Sequence, residues 1–396
     1  MPEIDRTFDR LLDRRNTGSV KWDKQGVDRL PFGIADMDFE TLPQMRRALA
    51  DRIEDGTFGY TFETDSFFDS VIGWFKTRHG LELCREDILP VAGTLESLSL
   101  ILDTFFAAGD AIVLCPPVYH PFRTTLERFD ITAALTPLIR AQGCYFMDFA
   151  GIEAALENGA KAVILCSPHN PVGRVWTREE LCRLTDLCLR HGALLLSDEI
   201  HCDIVYGSAK KKQCSALTAH PDAARCTIVM TAASKTFNIP GLKCSLVFVK
   251  DPALREKLAF TVKKFHNEVN IAGLVATEAA YRNGAAWVDS LTDYLWGNIR
   301  FVKSFLADRL PSVDVTETEA TYLMWLDFSA YGLEQEKLME LMSEEARVTV
   351  GSGTVSGENG KGFIRLNVGT PRSVLEQGLA SICRTFAPYE RKKKQD

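Results

Sequence analysis

The chain of 396 residues has no long hydrophobic run and no excess of basic charge. No segment approaches the roughly 20 consecutive apolar residues that a membrane-spanning helix needs, so the sequence argues against a membrane partner. The charged N-terminal stretch MPEIDRTFDRLLDRRNTG has no apolar core and predicts neither a signal peptide nor an anchor. The net charge is −7 at pH 7, with both signs spread along the chain, which argues against a nucleic-acid-binding face.

The 11 cysteines are scattered, with no CxxC pair and no clustering with histidine at metal-ligand spacing. This pattern is typical of reduced, buried thiols in a cytoplasmic protein. We therefore expect a cytoplasmic location and no metal cofactor.

From about Pro90 the sequence alternates helical segments with short apolar runs. LESLSLILDTFFAAG has an apolar face at helical spacing and ends at Gly109, and AIVL is closed by two prolines, as a buried strand would be. KAVILC, ALLLS, CTIVMT and SLVFV are further apolar runs, and TREELCRLTDLCLRHG lies between two of them with helical spacing. This alternation predicts an α/β fold with a mainly parallel sheet flanked by helices.

After about Phe260 the rhythm changes to long helical stretches, followed by the strand-like segments VDVTETEATYLMWLDF and GFIRLNV. This change predicts a second, smaller α+β domain. We expect an N-terminal segment at 1–45 that joins the small domain, a large domain at 46–285 and a C-terminal small domain at 286–396.

Polar segments follow three of the apolar runs of the large domain. SPHNPVG follows KAVILC, SDEIH follows ALLL, and ASK follows CTIVMT. Ligands of parallel sheets bind beyond the carboxyl ends of the strands. The three segments therefore predict one shared site.

Lys235 follows Ala232, Ala233 and Ser234 at the end of an apolar run. A lysine desolvated in a closed site has a lowered pKa and can form a Schiff base with a carbonyl. On these local features alone, an ordinary solvated lysine is the alternative.

Asp198 stands at the end of ALLLS, where a carboxylate is costly to bury without a partner. A pyridinium nitrogen would be such a partner, because pyridoxal 5'-phosphate (PLP) requires an acid there to act as an electron sink. The alternative is a structural aspartate held by backbone amides.

Two further side chains of these segments are candidates for the cofactor ring. Asn170 could donate its amide N–H to the phenolate oxygen of the ring, or could serve as a turn residue before proline. His201 could share that oxygen, or could be a histidine satisfied by surrounding protein groups.

The phosphate of the cofactor would need free backbone N–H groups, and Gly93-Thr94 lie where a helix begins near Leu95. Thr94 could instead be the helix N-cap. Ser234 and Lys243 could complete the phosphate site. Tyr119 follows the strand AIVL and could lie flat on the cofactor ring, or could simply pack in the core.

Taken together, these residues stand in the order G-T … Y … N-P-x-G … D-E-x-H … S-K-x-x-N. This order resembles the fold-type I PLP enzymes, the aspartate aminotransferase superfamily, over about residues 20 to 388. Eight blocks further resemble the MalY/PatB-type cystathionine β-lyase branch of that superfamily. They are VKWD, ADMDF, FGYTF, SPHNPVGRVW, SDEIH, SKTFNIPG, TYLMWLDF and RLNVGTPRS.

The resemblance implies a role for each residue around the cofactor ring. Lys235 would bind PLP covalently, and Asp198 would pair with the pyridine nitrogen. Asn170 and His201 would contact the ring oxygen, where many aminotransferases have tyrosine in place of the histidine. Tyr119 would stack on the ring.

The resemblance also implies the contacts of the phosphate and of the substrate. Gly93, Thr94 and Ser234 would hold the phosphate, and Tyr60 of FGYTF would reach the phosphate of a neighbouring subunit in a homodimer. Arg365 would bind the substrate α-carboxylate, which suits its planar fork, although a structural salt bridge is the alternative.

Two positions depart from the pattern of the family. Many relatives have arginine where Lys243 stands, and lysine offers a point charge instead of a fork. The family's GTYL is here ATYL, and the methyl group of Ala320 could alter the backbone close to the substrate.

The family resemblance favours β-elimination of L-cystathionine or related S-substituted L-cysteines, yielding pyruvate, ammonia and a thiol, which is homocysteine from cystathionine. A PLP-dependent aminotransferase of L-amino acids is the first alternative, because the same residues serve both reactions. A regulatory binding protein built on the same fold is the second alternative.

Overall fold

The computed structural model of the protein describes residues 6–24, 28–207 and 213–393. Its strands are β1 Leu30–Pro31, β2 Ile88–Val91, β3 Ala111–Leu114, β4 Thr132–Leu135, β5 Ile139–Ala141, β6 Cys144–Phe146, β7 Ala162–Cys166, β8 Leu194–Asp198, β9 Thr227–Thr231, β10 Ser245–Phe248, β11 Asp314–Val315, β12 Leu323–Asp327, β13 Val348–Thr349, β14 Gly351–Ser352 and β15 Phe363–Asn367.

Helices lie between many of these strands along the chain. They are α1 Val20–Asp23, α2 Pro43–Glu54, α3 Asp65–His79, α4 Thr94–Phe105, α5 Pro121–Arg128, α6 Phe149–Glu157, α7 Arg178–Arg190, α8 Ala216–Ala219, α9 Ala233–Thr236, α10 Pro252–Lys264, α11 Ile271–Asn283, α12 Ala285–Arg309, α13 Gln335–Glu340 and α14 Arg372–Lys393. Within the described ranges, none of them combines the length and the apolar character that crossing a membrane requires.

The large sheet has seven strands in the order β2-β10-β9-β8-β7-β3-β4. The strands from β9 to β4 pair in parallel, and β10 runs antiparallel to both of its neighbours. The predicted α/β fold with a mainly parallel sheet is therefore confirmed.

Both faces of this sheet are buried, which explains why its strands are apolar without alternation. Along β7, Val163 and Leu165 pack into one hydrophobic cluster with α6 and α7. The alternate residues Ala162, Ile164 and Cys166 pack into a second cluster with α4 and α5 on the opposite face. Apolar side chains pointing to both sides thus bring helices to both sides.

Helix α4 is shorter than the sequence predicted. The helical pattern was expected to run to Gly109, but the helix ends at Phe105 because Phe106 is extended, with φ −129° and ψ 156°. The Asp110 carboxylate then accepts a hydrogen bond of 2.9 Å from the Ala107 N–H. A side-chain oxygen that competes for backbone donors in this way favours a turn over a further helical turn.

A second sheet has four antiparallel strands in the order β11-β12-β15-β14. Its residues form one hydrophobic cluster with α12 and α14, and Phe8, Phe32 and Met37 from the start of the chain join the same cluster. Strand β1 also pairs with β13. These contacts bring the start of the chain to the second sheet, and the predicted division into domains stays a prediction.

Candidate active site

The carboxyl ends of β7, β8 and β9 meet at one edge of the large sheet. The last residue of β8, Asp198, is in register with Cys166 of β7 and with Met230 of β9. Asn170 follows β7, and Lys235 follows β9 in the single turn of α9. The opposite charges of Asp198 and Lys235 are close enough for each to shift the pKa of the other.

Asp198 is a buried carboxylate with little compensation from the protein. Its side chain accepts a hydrogen bond of 3.1 Å from the Ile200 N–H, and the residue is 4% exposed. Burial raises its pKa to about 6, against the opposing effects of the Ile200 hydrogen bond and the Lys235 charge. Among the described residues no cationic side chain forms an ion pair with it, so a positively charged N–H from a ligand would complete its environment.

Lys235 donates a hydrogen bond of 2.7 Å from Nζ to the carbonyl oxygen of Ala35. Burial and the nearby Arg365 charge lower its pKa to about 8, while Asp36 and Asp198 oppose that shift. An amine with this pKa loses its proton easily near neutral pH. It can therefore serve as a nucleophile towards a carbonyl group and as a general base.

His201 is 2% exposed, and its Nδ1 atom has no hydrogen-bond partner among the described residues. Burial, followed by the Lys235 and Arg365 charges, lowers its pKa to about 3, so the imidazole is neutral. Its ring lies edge-on to Tyr322 at 5.8 Å between centroids. A buried polar atom without a partner calls for an explanation, and a ligand that satisfies it is one.

Arg365 is held by neutral groups only. Nη1 donates to the Asn170 side-chain oxygen at 3.2 Å, and Nη2 donates to the Gly33 carbonyl oxygen at 2.8 Å. In the part of the chain that the structure describes, no carboxylate lies within ion-pair distance of this guanidinium. The structural salt bridge that was the alternative for Arg365 is thus not formed with a described residue. The guanidinium can donate hydrogen bonds to the carboxylate of a ligand.

Tyr119 lies beside the same group of charges. Its ring is partly buried and meets Phe122 edge-on at 5.4 Å between centroids. Burial and the Asp198 charge raise the pKa of the phenol, and Arg365 opposes that shift. The site predicted from Lys235, Asp198, His201, Tyr119 and Arg365 is therefore one cluster.

The start of α4 has no capping side chain. Gly93 occupies the N-cap position, and the Thr94 hydroxyl shares a hydrogen bond of 2.8 Å with Ser245 Oγ. Thr94 is thus the first helical residue and not the N-cap, which corrects that alternative. A Cβ atom at position 93 would meet the Glu96 carboxylate, which would have to move. The uncapped backbone N–H groups suit an anion.

The structure does not test two of the predicted phosphate contacts. The ammonium group of Lys243 is 58% exposed and pairs with Glu96 Oε1 at 2.8 Å. Ser234 is partly buried beside Lys235, and its carbonyl oxygen accepts a hydrogen bond from Ile239. Both roles stay predictions.

Tyr60 lies in the exposed FGYTF block and does not join the cluster within this chain. It is fully exposed, and its neighbours Phe58 and Phe62 are 63% and 73% exposed. Three exposed aromatic side chains in five residues are unusual for a free surface. The predicted contact with a neighbouring subunit stays a prediction.

The sequence missed the role of residues 33–39, which we call the strap. The Ala35 carbonyl oxygen accepts hydrogen bonds from Lys235 and from the Tyr322 hydroxyl, the latter at 2.9 Å. The Gly33 carbonyl oxygen accepts from Arg365. ADMDF was recognised as a block, but the contacts use backbone oxygens, which carry no residue-type signal.

The outer side of the strap is fixed by a buried ion-pair network. Lys21 of VKWD is 0% exposed and donates to Asp38 Oδ2 at 2.8 Å and to the Asp36 carbonyl oxygen at 3.1 Å. Arg14 binds both aspartates, and Trp22 Nε1 donates to Asp38 Oδ1 at 2.8 Å. The VKWD block therefore anchors the strap.

Ala320, the second departure from the family pattern, is fully buried, and its N–H donates to the Gly173 carbonyl oxygen at 3.0 Å. The next residue, Thr321, has φ 66°, a conformation that is an outlier for a β-branched side chain. The Tyr206 hydroxyl donates to the Thr321 carbonyl oxygen at 2.5 Å. The loop before Tyr322 is thus held in place by specific hydrogen bonds.

The described residues include one group with potential metal ligands, His79, Cys202 and Asp203, whose donor atoms lie within 4.8 Å of one another. The sequence did not reveal it, because His79 is distant along the chain. The Asp203 carboxylate already accepts a hydrogen bond of 2.8 Å from Thr236. Burial and the neighbouring acids raise the pKa of the Cys202 thiol well above its usual value, and a protonated thiol is a poor ligand.

Known proteins resemble this chain over nearly its whole length. The family model for aminotransferase class I and II matches residues 27–382. Cystathionine beta-lyase PatB of Bacillus subtilis is 38% identical, with 95% of this chain and 98% of the relative covered. Protein MalY of Escherichia coli is 33% identical, with 95% and 97% covered. The PLP-bound C-S lyase from Staphylococcus hominis superposes with a TM-score of 0.89 at 30% identity, covering 96% of this chain and 97% of the other.

The site fits the cofactor that this last structure contains. Asp198 lacks a cationic partner, the His201 Nδ1 atom lacks any partner, and α4 begins without a cap. These features match a pyridinium nitrogen, a ring oxygen and a phosphate, respectively. The chain belongs to the aminotransferase class I and II family, in the branch that contains cystathionine beta-lyase PatB.

Proposed function

We propose that the protein is a PLP-dependent carbon–sulfur lyase that cleaves L-cystathionine or related S-substituted L-cysteines by β-elimination. The products are pyruvate, ammonia and a thiol, which is homocysteine when the substrate is cystathionine. The observation that carries the proposal is the proximity of Asp198, whose pKa is raised to about 6, to Lys235, whose pKa is lowered to about 8, at one edge of the large sheet. The similarity to a cystathionine beta-lyase and to a C-S lyase favours β-elimination as the reaction.

Bound PLP supplies an electron sink for the bonds at the substrate Cα. Lys235 holds the cofactor covalently. Asp198 keeps its pyridine nitrogen protonated, since an ionised carboxylate in a buried site strongly favours a proton on the group that it faces. Asn170 and His201 would contact the ring oxygen, and Tyr119 would cover one face of the ring.

Arg365 binds the α-carboxylate of the substrate. Its guanidinium is pre-oriented by the Asn170 side-chain oxygen and the Gly33 carbonyl oxygen, which leaves the positive charge uncompensated by any described carboxylate. Binding an amino acid therefore forms a new ion pair in a partly buried place, where it is stronger than at the surface. This contact fixes Cα beside the amine of Lys235.

The amine of Lys235 removes the α-proton as general base once it is free. Its lowered pKa keeps much of it unprotonated at mildly alkaline pH. The Ala35 carbonyl oxygen accepts one of its N–H groups and so holds it at the site. Loss of the α-proton allows the thiolate to leave from Cβ.

The remaining contacts complete the proposal. Gly93, Thr94 and Ser234 hold the phosphate at the start of α4, and Lys243 adds its charge at the rim. Tyr60, fully exposed in the single chain, contacts the phosphate of the other subunit in a homodimer. All described cysteines are free of disulfide bonds, which supports a cytoplasmic location.

The test is a steady-state assay of the purified protein with L-cystathionine and PLP, without any keto acid. We expect equal amounts of pyruvate and homocysteine over many turnovers. Lys235→Ala should abolish both, whereas Lys337→Ala, at an exposed lysine paired with Glu340, should change neither.

Two other outcomes would replace the proposal. A single half-reaction that stalls until a keto acid is added would identify an aminotransferase. A cellular phenotype that persists unchanged in Lys235→Ala, with no turnover in vitro, would identify a regulatory binding protein.

A further inference from the structure

A further buried carboxylate, that of Asp203, lies close to the site. It follows Asp198 and His201 on the same segment after β8 and is 7% exposed. This segment forms tight turns, in which the Cys202 N–H donates to Glu199 and the Ile204 N–H donates to His201. Asp203 and His201 therefore belong to the same turns, and contacts that hold Asp203 in place also hold His201 in place.

The same carboxylate is attached to the lysine segment. The hydroxyl of Thr236, which follows Lys235 directly, donates to Asp203 Oδ2 at 2.8 Å, and Thr236 is 0% exposed. Helix α9 has only four residues, and no side chain caps its start at Ala232. A single helical turn is not stable by itself, so its orientation depends on contacts of this kind.

Helix α3 also contacts the carboxylate of Asp203. Asp203 Oδ1 lies 3.1 Å from Trp74 Nε1 and 2.7 Å from His79 Nε2, both on α3. The Arg78 guanidinium of the same helix lies 3.9 Å from that oxygen. Both carboxylate oxygens of Asp203 thus lie within hydrogen-bonding distance of a partner. The carboxylate connects α3, α9 and the turn after β8.

We infer that Asp203 is a positioning residue for the proposed reaction, which fixes the turn bearing Lys235 relative to the turn bearing His201 through Thr236. The inference rests on the proposed function, because those two turns matter together only if both contact one cofactor. It assigns no contact with substrate or cofactor to Asp203 itself.

The position of the turn that bears Lys235 matters because Lys235 has to move during the proposed reaction. Its amine must serve first as the cofactor's attachment point and then as a base at the substrate Cα. Reacting atoms must lie within about 3–3.5 Å, and a misplacement of about 1 Å costs up to a hundredfold in rate. The Thr236–Asp203 hydrogen bond is one of the contacts that hold this uncapped turn.

Thr236→Val is the sharpest test, because valine keeps the shape of threonine and replaces the hydroxyl by a methyl group. We expect kcat for β-elimination to fall about tenfold, the size of one lost hydrogen bond to a charged group. KM should stay within about twofold, since the Arg365 contact is unchanged. The affinity of the apoprotein for PLP, measured by fluorescence titration, should fall in parallel with kcat.

Two matched variants separate positioning from mere stability. Thr236→Ser keeps the hydroxyl and should restore kcat and PLP affinity to near the wild-type values. Thr185→Val removes a buried hydroxyl that bonds to the Leu181 carbonyl oxygen within α7, far from the site, and should leave both unchanged. If Thr236→Val does not fold, Trp74→Phe removes one donor to Oδ1 and should lower kcat in the same direction.

Wild-type kcat and PLP affinity in Thr236→Val, even with a lowered melting temperature, would overturn the inference and leave Asp203 a purely structural residue. That result differs from failure of the proposed function, in which the wild-type protein itself releases no thiol and no pyruvate.

Discussion

Asp198 and Asp38 are both buried carboxylates, 4% and 3% exposed, yet the protein treats them in opposite ways. Asp38 is surrounded by Lys21, Arg14 and Trp22, which lower its pKa although burial alone would raise it. Asp198 has one backbone donor, and burial raises its pKa to about 6. Asp38 therefore has cationic partners within the chain, whereas Asp198 forms no ion pair with a described residue.

The difference indicates which of the two acids serves structure and which serves a ligand. A buried charge without a partner is costly, and a protein keeps one only where something else completes it. Asp38 fixes the strap, whose carbonyl oxygens hold Lys235 and Arg365. In the proposed function, the cofactor nitrogen completes the surroundings of Asp198. The following predictions test this contrast.

Replacing Asp198 by asparagine should have the largest effect on activity. A neutral amide cannot keep the pyridine nitrogen protonated, so we expect kcat to fall by about a hundredfold to a thousandfold, as when a key electrostatic group is removed. The measurement is the steady-state rate of pyruvate release. Asp198→Asn with unchanged kcat would contradict the role given to this residue.

Removing the cation of the paired acid should instead affect stability. Lys21→Met leaves Asp38 with Arg14 and Trp22 only, and we expect the free energy of unfolding to fall by about 3 kcal/mol, as for a broken buried ion pair. Denaturant unfolding of the apoprotein measures it. The double variant Lys21→Met/Asp38→Asn should recover part of the loss, and its failure to do so would show that packing, not charge, dominates.

The pH dependence of apoprotein stability should differ in sign at the two acids. Asp198 has a raised pKa, so between about pH 4 and pH 6 the folded state binds more protons than the unfolded state, and stability falls as pH rises. A shift from 3.8 to about 6 corresponds to roughly 3 kcal/mol. This decrease should be absent in Asp198→Asn.

Asp38 has a lowered pKa, so its contribution is present above the unfolded-state pKa and is lost as pH falls through the folded-state pKa. Comparing wild type, Asp198→Asn and Asp38→Asn by denaturant unfolding from pH 7 to below 3.8, the ordinary pKa of an aspartate side chain, separates the two slopes. If the free energy of unfolding changed equally with pH in the two variants, the two acids would not differ as predicted.

The smallest effect is expected at the surface of the same N-terminal segment. Arg10 is 65% exposed and pairs with Glu40 at 2.8 Å. Arg10→Gln should lower the free energy of unfolding by no more than about 1 kcal/mol, and by less at high salt, because solvent screens the pair. A loss as large as that of Lys21→Met would show that burial does not govern these pairs.

Much of the fold and the central residues of the site could be predicted from sequence, because buried parallel strands are continuous apolar runs. Polar residues that interrupt such runs at their carboxyl ends stand out, which is how Asp198 and Lys235 were found. The pairing of β7, β8 and β9 then brings those ends together. Local pattern and global topology gave the same site.

The supporting contacts could not be predicted in this way. The Ala35 carbonyl oxygen lies 200 residues before its partner Lys235, and any residue type offers the same oxygen. Lys21, which is 0% exposed, looks like any other surface lysine in sequence. Thr236 and Asp203 likewise acquire their roles only through a contact between distant segments.

The most direct test of the whole account is to locate the bound cofactor. The protein is saturated with PLP, reduced with borohydride to fix the cofactor on its lysine, digested and analysed by mass spectrometry. We predict one modified site per chain, at Lys235, and reduced occupancy in Asp198→Asn. A modification at a different lysine, or none in a protein that nevertheless releases pyruvate and thiol, would contradict the account.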